Sequence, residues 1–398
     1  MIATAIVAIA ASDAALWQCR IGGLSLLTRA LAALADAGAT HIAVLGGGDA
    51  IRAHVRNDRV RAEVVPLPAA ADNAAIAEAL AQPPGALAIW LRRPFVLTRA
   101  MALTLVRRVQ AARIEPDLGC VLRLDAGNEE TGEETHGDVL VTGAFILPAP
   151  DAAAIRRAED ALLATTRKPI EQDGVTAFYV GRPMSRPLTK ALLNTSVTPN
   201  QVSAVALVIG LASGVFAARA GYLAQVAAAL LLFAGTVLDC TDGDLARMTH
   251  RRSRLGEWLD TLTDDVSTTA YVAGLGFGIG WLPFGVPPLA VGLATAAAWI
   301  AACLYVYVTL VREGGAIDTG RFPYAVPWAA PPAASVTRES APPPRILQLL
   351  ARRDSLIALL LFLAVAGVPW VSLLVLAAAL GGNALAVALT ALTRMIRR

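Results

Sequence analysis

The chain has 398 residues, of which 56% are hydrophobic and only 16% are charged. This composition is too apolar for an ordinary soluble enzyme, and the length exceeds that of one typical domain. The net charge of +3 is too small to indicate nucleic-acid binding, so we expect no nucleic-acid partner. The four cysteines show neither metal-ligand spacing nor a disulfide framework. Because the apolar residues concentrate after about position 200, the sequence predicts a soluble half followed by a membrane half.

Residues 1–165 alternate strand-like and helix-like segments, beginning with a strand in TAIVAIA and a helix in SLLTRALAALADAGA. Further strand-like segments follow in HIAVLGGG, VRAEVVPL, ALAIWL and GDVLVTGAFIL. This alternation predicts an α/β domain with a mainly parallel sheet over residues 1–180. No basic region precedes the first apolar run, so we interpret that run as a buried strand and not as a signal peptide.

The order of strand, loop, IGGLSLL, helix and AGATHIAVL resembles that of sugar-phosphate nucleotidyltransferases. The resemblance implies a nucleotidyltransferase-like fold, but two departures from it predict an inactive domain. The loop 11–17 has neither the glycines nor the lysine of that family, although phosphate binding needs exposed backbone amides. Arg92 and Arg93 stand where that family has a metal-binding aspartate. The glycine run at 46–48 is interpreted as a strand-to-helix turn.

The second half contains six apolar segments that we judge long enough to cross a bilayer, which takes about 17–25 residues. They lie at 201–221, 223–243, 261–282, 287–311, 355–369 and 370–392. These segments predict an all-α six-helix transmembrane bundle over residues 201–398. Arginines cluster after the second and fourth segments and at the C-terminus, whereas the opposite loops carry only Arg219. Because cytosolic loops are enriched in basic residues, we expect a multi-pass cell (inner) membrane protein with both termini in the cytosol.

Residues 181–200 are expected to connect the two domains. Met184, Leu188 and Leu192 recur at four-residue steps, which predicts a short amphipathic helix in contact with membrane lipid at the cytosolic interface. The TPNQ run at 198–201 has the pattern of a capping box at the start of the first span.

Asn200 lies within that run. It is a candidate nucleotide ligand, although helix initiation alone also explains the run. The proline-rich segment 313–354 predicts a flexible cytosolic connection. Its arginines are interpreted as positive-inside charge rather than as ligands of an acceptor.

A spaced set of eight residues in the second half carries the strongest chemical information. They are Asp239, Asp242, Gly243, Ala246, Arg247, Gly256, Asp260 and Asp264. The first five share one helix face and the last three share another, so two helices can direct four carboxylates at one point. Close carboxylates repel one another unless cations lie between them, and oxygen ligands suit Mg²⁺ or Mn²⁺. The small residues allow close approach of a ligand, and arginine suits phosphate.

A polar linker with solvated acids is the structural alternative to a site. Unpaired charge next to apolar segments is costly, which argues against that alternative. His250 lies in the same stretch and is interpreted as a solvated loop residue.

The spacing D-x2-D-G-x2-A-R-x8-G-x3-D-x3-D resembles the signature of the CDP-alcohol phosphotransferase family, and every fixed position is matched. The TPN step before the first span resembles the family as well. The resemblance implies a homodimeric membrane transferase that moves a substituted phosphate group from a CDP-alcohol to an acceptor hydroxyl and releases CMP. It implies that Asp239, Asp242, Asp260 and Asp264 bind metal, that Asp264 is the general base, and that the product belongs to phospholipid or related biosynthesis.

Two other classes of function are considered. A cation-coupled transporter also uses intramembrane acids, but carrier acids usually lie near the middle of the bilayer. Here the acids are expected at one cytosolic edge, beside a glycine and an arginine suited to a nucleotide. A scaffold would not require four aligned acids. The acceptor stays open between an inositol-type or other polar alcohol and a small acceptor used with a lipid-linked donor.

Overall fold

The computed structural model divides the chain into two compact units. The first comprises Met1–Arg167, Leu193–Thr195 and Arg247–Arg251, and the second comprises Lys168–Leu192, Ser196–Ala246 and Arg252–Arg398. The structure describes residues 4–9, 14–46, 59–69, 71, 88–91, 95–99, 101–103, 121–124, 145–146, 152–166, 168, 170–251, 253–313, 322, 324 and 352–396. The predicted domain boundaries at 180 and 200 stay predictions.

The strands of the first unit are short, and most of them pair in parallel. They are β1 (Thr4–Ala8), β2 (Arg20–Ile21), β3 (Leu24–Ser25), β4 (His41–Leu45), β5 (Glu63–Leu67), β6 (Ala88–Leu91), β7 (Phe95–Val96), β8 (Val121–Leu124) and β9 (Phe145–Ile146). Five of them form one sheet in the order β5-β4-β1-β6-β8, with every pairing parallel. The predicted parallel sheet is therefore confirmed, whereas likeness to nucleotidyltransferases stays a prediction.

The apolar runs identified in the sequence explain the centre of this sheet. In the register of β1 with β4, Thr4 lies opposite His41 and Ala8 lies opposite Leu45. Ala5, Ile6 and Val7 are at most 2% exposed, as expected for a strand covered on both faces. The predicted loop at 11–17 contains a helix from Ala14, while residues 11–13, 47–48, 92–93 and most of 313–354 lie outside the described residues.

The described residues of the first unit form three helices. They are α1 (Ala14–Gln18), α2 (Leu26–Asp36) and α3 (Ala152–Thr165). Ser25 caps α2, because its hydroxyl oxygen accepts a hydrogen bond from the Thr28 amide at 3.1 Å. The nine residues from Leu26 to Leu34 are all buried, so α2 is a core helix of the unit.

All the regular elements among the described residues of the second unit are helical. After α4 (Ile170–Asp173), a π-helical turn (Ala177–Gly181) and α5 (Arg182–Leu193), it contains α6 (Pro199–Ala217), α7 (Tyr222–Met248), α8 (Arg254–Gly278), a 3-10 turn (Pro283–Gly285), α9 (Pro288–Arg312), α10 (Arg353–Val365) and α11 (Pro369–Ile396). The end of α7, from Arg247, belongs to the first unit. Helices therefore occur at all six of the predicted spans.

Only four of these helices, α6, α7, α9 and α11, are both long enough and apolar enough to cross a membrane. Of the six membrane spans predicted from the sequence, four are thus supported by the length and hydropathy of the helices. Helix α10 has 13 residues, fewer than the roughly 17 that a span requires. Helix α8 has 25 residues but carries the acids of the pattern, whose charges reduce its hydropathy.

The helix start predicted at 198–201 is confirmed in atomic detail. The Thr198 hydroxyl oxygen accepts a hydrogen bond from the Gln201 amide at 3.3 Å, and the Thr198 amide donates to the Gln201 side-chain oxygen at 2.8 Å. This reciprocal capping box fixes the first turn of α6, and it therefore fixes the position of Asn200 in that turn.

Small residues let α6 and α8 approach each other closely. A Cβ atom at Gly210 would overlap the Ser267 side chain, and one at Gly214 would lie 2.6 Å from the Ala270 carbonyl oxygen. Gly278 is likewise packed against the Ala217 carbonyl oxygen. Close backbone contact of this kind stabilises helix pairs in membranes. It also holds the N-terminal half of α8, which carries the acids, beside the start of α6.

Candidate active site

Three carboxylates of the acidic pattern converge between α7 and α8. Asp239, Asp242 and Asp260 each offer an oxygen, and these oxygens lie within 4.8 Å of one another. Metal–oxygen distances of about 2.0–2.6 Å place two oxygens on one divalent ion at most about 5 Å apart, so the three side chains could hold a single ion. Asp242 is buried, Asp239 is half-buried and Asp260 is exposed. The group is therefore open on one side, as a site that receives a substrate must be.

A serine that the sequence analysis missed fixes the buried member of this group. The Ser203 hydroxyl donates a hydrogen bond to the Asp242 carboxylate at 2.5 Å. Ser203 lies three residues after Asn200, so both face the same side of α6. That spacing was the one available signal, and it is weak because serine is common in membrane helices.

The glycine of the second helix lies beside Asn200. A Cβ atom at Gly256 would lie 3.0 Å from the Asn200 side-chain oxygen and 3.2 Å from the Ser253 hydroxyl. Ser253 caps α8, because its hydroxyl oxygen accepts from the Gly256 amide at 2.9 Å. Two residues predicted to contact the nucleotide, Asn200 and Gly256, are thus neighbours in the structure.

The remaining positions of the first motif share a face of α7. Gly243 and Ala246 are half-buried, as Asp239 is, whereas Cys240, the residue after Asp239, is buried. Arg247 follows at the next position, two helical turns after Asp239. A ligand bound to the carboxylates would therefore extend along a face that carries no large side chain before Arg247.

The fourth acid of the pattern has a different partner. An Asp264 carboxylate oxygen lies 2.5 Å from the Arg353 guanidinium, at the start of α10. Among the described residues, the three-carboxylate group does not include Asp264. This pairing could not be predicted, since 89 positions separate the two residues in the sequence. The predicted roles of Asp264 as base and metal ligand stay predictions.

A buried cluster of charges joins the segment before the first span to α7. Arg182 donates to both carboxylate oxygens of Asp173, at 2.6 and 2.8 Å, and to Asp244 at 2.6 Å. Burial lowers the pKa of Arg182, but the hydrogen bond to Asp173 and the charges of both acids outweigh it, so the pKa is raised above its usual value. Asp244 occupies a variable position of the pattern, so the sequence did not predict a role for it.

His250 is not the solvated residue that we expected. Its side chain is 4% exposed, and its Nδ1 atom lies 2.9 Å from an Asp36 carboxylate oxygen within the first unit. The interpretation was wrong because the partner is 214 positions away in sequence. Local sequence around His250 is polar and gives no sign of burial.

The second unit combines three converging carboxylates with apolar helices long enough to cross a membrane. Residues 196–392 match the CDP-alcohol phosphatidyltransferase family. The chain therefore carries a domain of that family over these residues, as the spacing of the acidic pattern implied.

Three relatives illustrate the match. The archaetidylinositol phosphate synthase of Pyrococcus horikoshii is 34% identical over 100 residues, which cover 25% of this chain and 50% of that protein. The CDP-diacylglycerol–serine O-phosphatidyltransferase of Mycobacterium leprae is 31% identical over 147 residues, covering 35% and 43%. A bifunctional IPC transferase and DIPP synthase of Aquifex aeolicus is 27% identical over 135 residues, covering 34% and 30%. The matched part of the chain thus spans between 30% and 50% of these relatives, and nothing in these matches supports a transporter.

Proposed function

We propose that this chain is an integral membrane transferase that moves a substituted phosphate group from a CDP-alcohol to an acceptor hydroxyl. The products are CMP and a phosphodiester of phospholipid or related biosynthesis. The observation that carries this proposal is the convergence of Asp239, Asp242 and Asp260 inside a domain that matches the family.

The proposed reaction is a displacement at the phosphorus that bears the alcohol. The acceptor hydroxyl gives its proton to the Asp264 carboxylate, and its oxygen forms a bond to that phosphorus. The bond between this phosphorus and the bridging oxygen breaks, and the electron pair leaves with CMP. Arg353 neutralises Asp264 in this structure, so Asp264 must loosen that contact to accept a proton. Positioning and charge stabilisation supply most of the catalysis in phosphoryl transfer.

Each residue of the site has a role in binding the donor. Asp239, Asp242 and Asp260 would hold a divalent cation, and Asp264 is proposed to contribute to a second. Mg²⁺ or Mn²⁺ bound there would offset the charge that develops on the diphosphate. Ser203 keeps the Asp242 carboxylate in one orientation. Gly243, Ala246 and Gly256 leave room for the nucleotide, while Asn200 and Arg247 supply donors to it.

The alcohol and the acceptor are proposed only as classes. Two of the relatives carry inositol phosphate or serine transfer in their names, and all such acceptors are polar alcohols. We propose an inositol-type or other polar alcohol, with a lipid-linked donor and small acceptor as the second arrangement. No nucleic acid takes part in either.

The architecture that fits this reaction is a six-helix bundle in the cell (inner) membrane, assembled as a homodimer. Its active site would face the cytosol, where a nucleotide substrate would be, because arginines dominate the loops on that side. The short α10 would reach the bilayer core only in part, and the acids of α8 would lie at the membrane edge. The N-terminal domain is proposed to be nucleotidyltransferase-like and inactive.

A CMP-release assay tests the proposal. Full-length protein in detergent micelles is incubated with CDP-diacylglycerol or CDP-inositol, a panel of polar acceptors, and Mg²⁺ or Mn²⁺. We expect CMP in proportion to the phosphodiester formed, and only when donor and acceptor are both present. A chain that carries Asp239→Asn and Asp242→Asn together serves as the matched control and should release none.

The alternative function, a cation-coupled transporter, is tested with the same protein preparation. Reconstituted into vesicles, a cation carrier would move Mg²⁺, Mn²⁺ or protons without any CDP compound. Cation flux that depends on the acids, combined with absence of CMP release, would contradict the enzyme.

A further inference from the structure

One face of α2 in the first unit holds the segment that follows Arg247. Arg29 is 1% exposed and donates hydrogen bonds to the carbonyl oxygens of Met248 and Ile21, each at 2.7 Å. Burial, together with the charge of Arg59, lowers the pKa of Arg29 to about 10. Arg29 is therefore still charged at neutral pH. Burying a charge costs free energy, and the hydrogen bonds to the two carbonyl oxygens offset that cost.

The same face of α2 makes a second contact, two turns further along. Asp36 lies seven residues after Arg29, so both side chains project on one side of the helix. The Asp36 carboxylate lies 2.9 Å from His250 Nδ1, and the His250 side chain is 4% exposed. His250 also has a φ of 54°, a left-handed conformation that a non-glycine residue adopts only when its surroundings require it.

The two glycines of the IGGLSLL run explain how the segment fits. Gly22 and Gly23 form the turn between β2 and β3 with φ values of 57° and 77°. A Cβ atom at Gly22 would lie 3.1 Å from the Arg29 guanidinium and 3.5 Å from the Met248 side chain. One at Gly23 would overlap the Leu193 carbonyl oxygen. The glycine pair thus makes room for two short segments, Leu193–Thr195 and Arg247–Arg251, which belong to the same compact unit.

The segment held in this way lies between the two halves of the acidic pattern. Arg247 ends the first half and Gly256 begins the second. If this connection were flexible, the Arg247 side chain would sample many orientations. Only a small fraction of the molecules would then have the orientation that binds phosphate.

We propose that Arg29 and Asp36 are positioning residues, which clamp Met248 and His250 and so restrict the conformation of Arg247, the residue that precedes them. The role of Arg247 as a phosphate ligand rests on the proposed function, whereas the clamp contacts themselves do not.

Binding of CMP to the full-length protein in the presence of Mn²⁺ tests the clamp. Asp36→Ala removes the acceptor of the His250 contact, and Arg29→Met removes both carbonyl contacts while keeping the volume. We expect each to weaken CMP binding about tenfold, within the usual range for coupled sites, and to raise KM for the CDP donor more than it lowers kcat. Mn²⁺ binding without CMP should stay unchanged. Asp36→Asn keeps an acceptor oxygen and should recover part of the affinity.

The matched control is another contact between a histidine and an acid in the same unit. His41 and Glu63 lie 3.5 Å apart on paired strands, with side chains 30% and 69% exposed. Glu63→Gln should leave CMP affinity unchanged. If it weakens CMP binding as much as Asp36→Ala does, a general loss of stability explains the effect and the clamp is excluded.

The remaining outcomes separate the two proposals. Wild-type protein that binds CMP, with Asp36→Ala and Arg29→Met binding it equally well, overturns the clamp and leaves the transferase intact. Wild-type protein that binds no CMP contradicts the transferase and with it the purpose of the clamp. Since Asp36 is partly exposed, its variant remains informative if Arg29→Met fails to fold.

Discussion

Ser203 on α6 donates a hydrogen bond of 2.5 Å to Asp242 on α7. The bond ties a candidate metal ligand to the helix that carries Asn200, one turn away. A hydrogen bond from a neutral donor to one carboxylate oxygen fixes the direction of the other oxygen, which can then bind a cation. Helix α6 thereby contributes a side chain to the candidate metal site.

Ser203→Ala should lower the affinity for Mn²⁺ about tenfold, the lower end of the effect of removing such a supporting bond. Titration of the full-length protein followed by Mn²⁺ paramagnetic resonance measures it. Ser213→Ala is the matched control, because Ser213 is buried in the same helix and donates to the Gly210 carbonyl oxygen instead. Equal Mn²⁺ affinity in wild type and Ser203→Ala would remove Ser203 from the site.

Asp264→Asn should reduce CMP release by about 10²- to 10⁴-fold, the usual contribution of a general base. Binding of the CDP donor and folding should change little, because the three converging carboxylates are untouched. Single-turnover CMP release and donor binding measure the two effects separately. Glu257→Gln, an exposed acid of the same helix, should behave as wild type. Near-normal turnover in Asp264→Asn would show that another group takes the proton.

Removal of divalent metal should abolish activity, and Mg²⁺ or Mn²⁺ should restore it. The reason is that the candidate ligands are carboxylates, which prefer these hard cations. The measurement is CMP release after chelation, with residual metal determined by mass spectrometry. Full activity in protein shown to be metal-free would contradict the carboxylate site.

Arg182→Gln should destabilise the protein by about 3–5 kcal/mol, because Asp173 and Asp244 would remain buried without a counter-charge. Thermal unfolding of the detergent-solubilised protein measures the loss. The triple variant Arg182→Met, Asp173→Asn and Asp244→Asn removes all three charges and should recover much of it. If the triple variant is no more stable than Arg182→Gln, uncompensated charge is not the cause.

The features that could be predicted from the sequence are those that residues close together in the chain determine. The carboxylates Asp239, Asp242 and Asp260 could be predicted from the sequence. Helical spacing alone brings the first two to one face, and carboxylates that lie close together repel one another unless a cation lies between them. The capping box at 198–201 and the strands β1 and β4 were predictable for the same reason, since residues a few positions apart determine them.

Features that depend on distant residues were missed. Neither Asp36 nor His250 indicates its partner, since their pairing exists only after the α/β unit forms. The fifth span was placed at 355–369, but α10 ends at Val365 and Gly367 turns the chain with a φ of 75°. Hydropathy does not register such a break, because glycine and the residues around it are apolar.

The N-terminal domain should have no nucleotidyltransferase activity. The loop at 11–17 lacks the glycines and lysine that would bind phosphate, and Arg92 and Arg93 would repel a divalent ion where a carboxylate is expected. Gly22 and Gly23 instead pack against Met248 and Leu193, where a side chain would not fit.

The test incubates the full-length protein with CTP, Mg²⁺ and a panel of phosphorylated alcohols and measures pyrophosphate. An authentic nucleotidyltransferase in the same buffer and detergent serves as the positive control. Asp242→Asn protein, whose membrane site is disabled, excludes secondary reactions of any CDP-alcohol formed. We expect pyrophosphate no faster than in the protein-free blank, because neither the phosphate loop nor the metal carboxylate is present. Pyrophosphate release with any one alcohol, in both wild type and Asp242→Asn, would show that the domain is a working enzyme with a loop of a different kind.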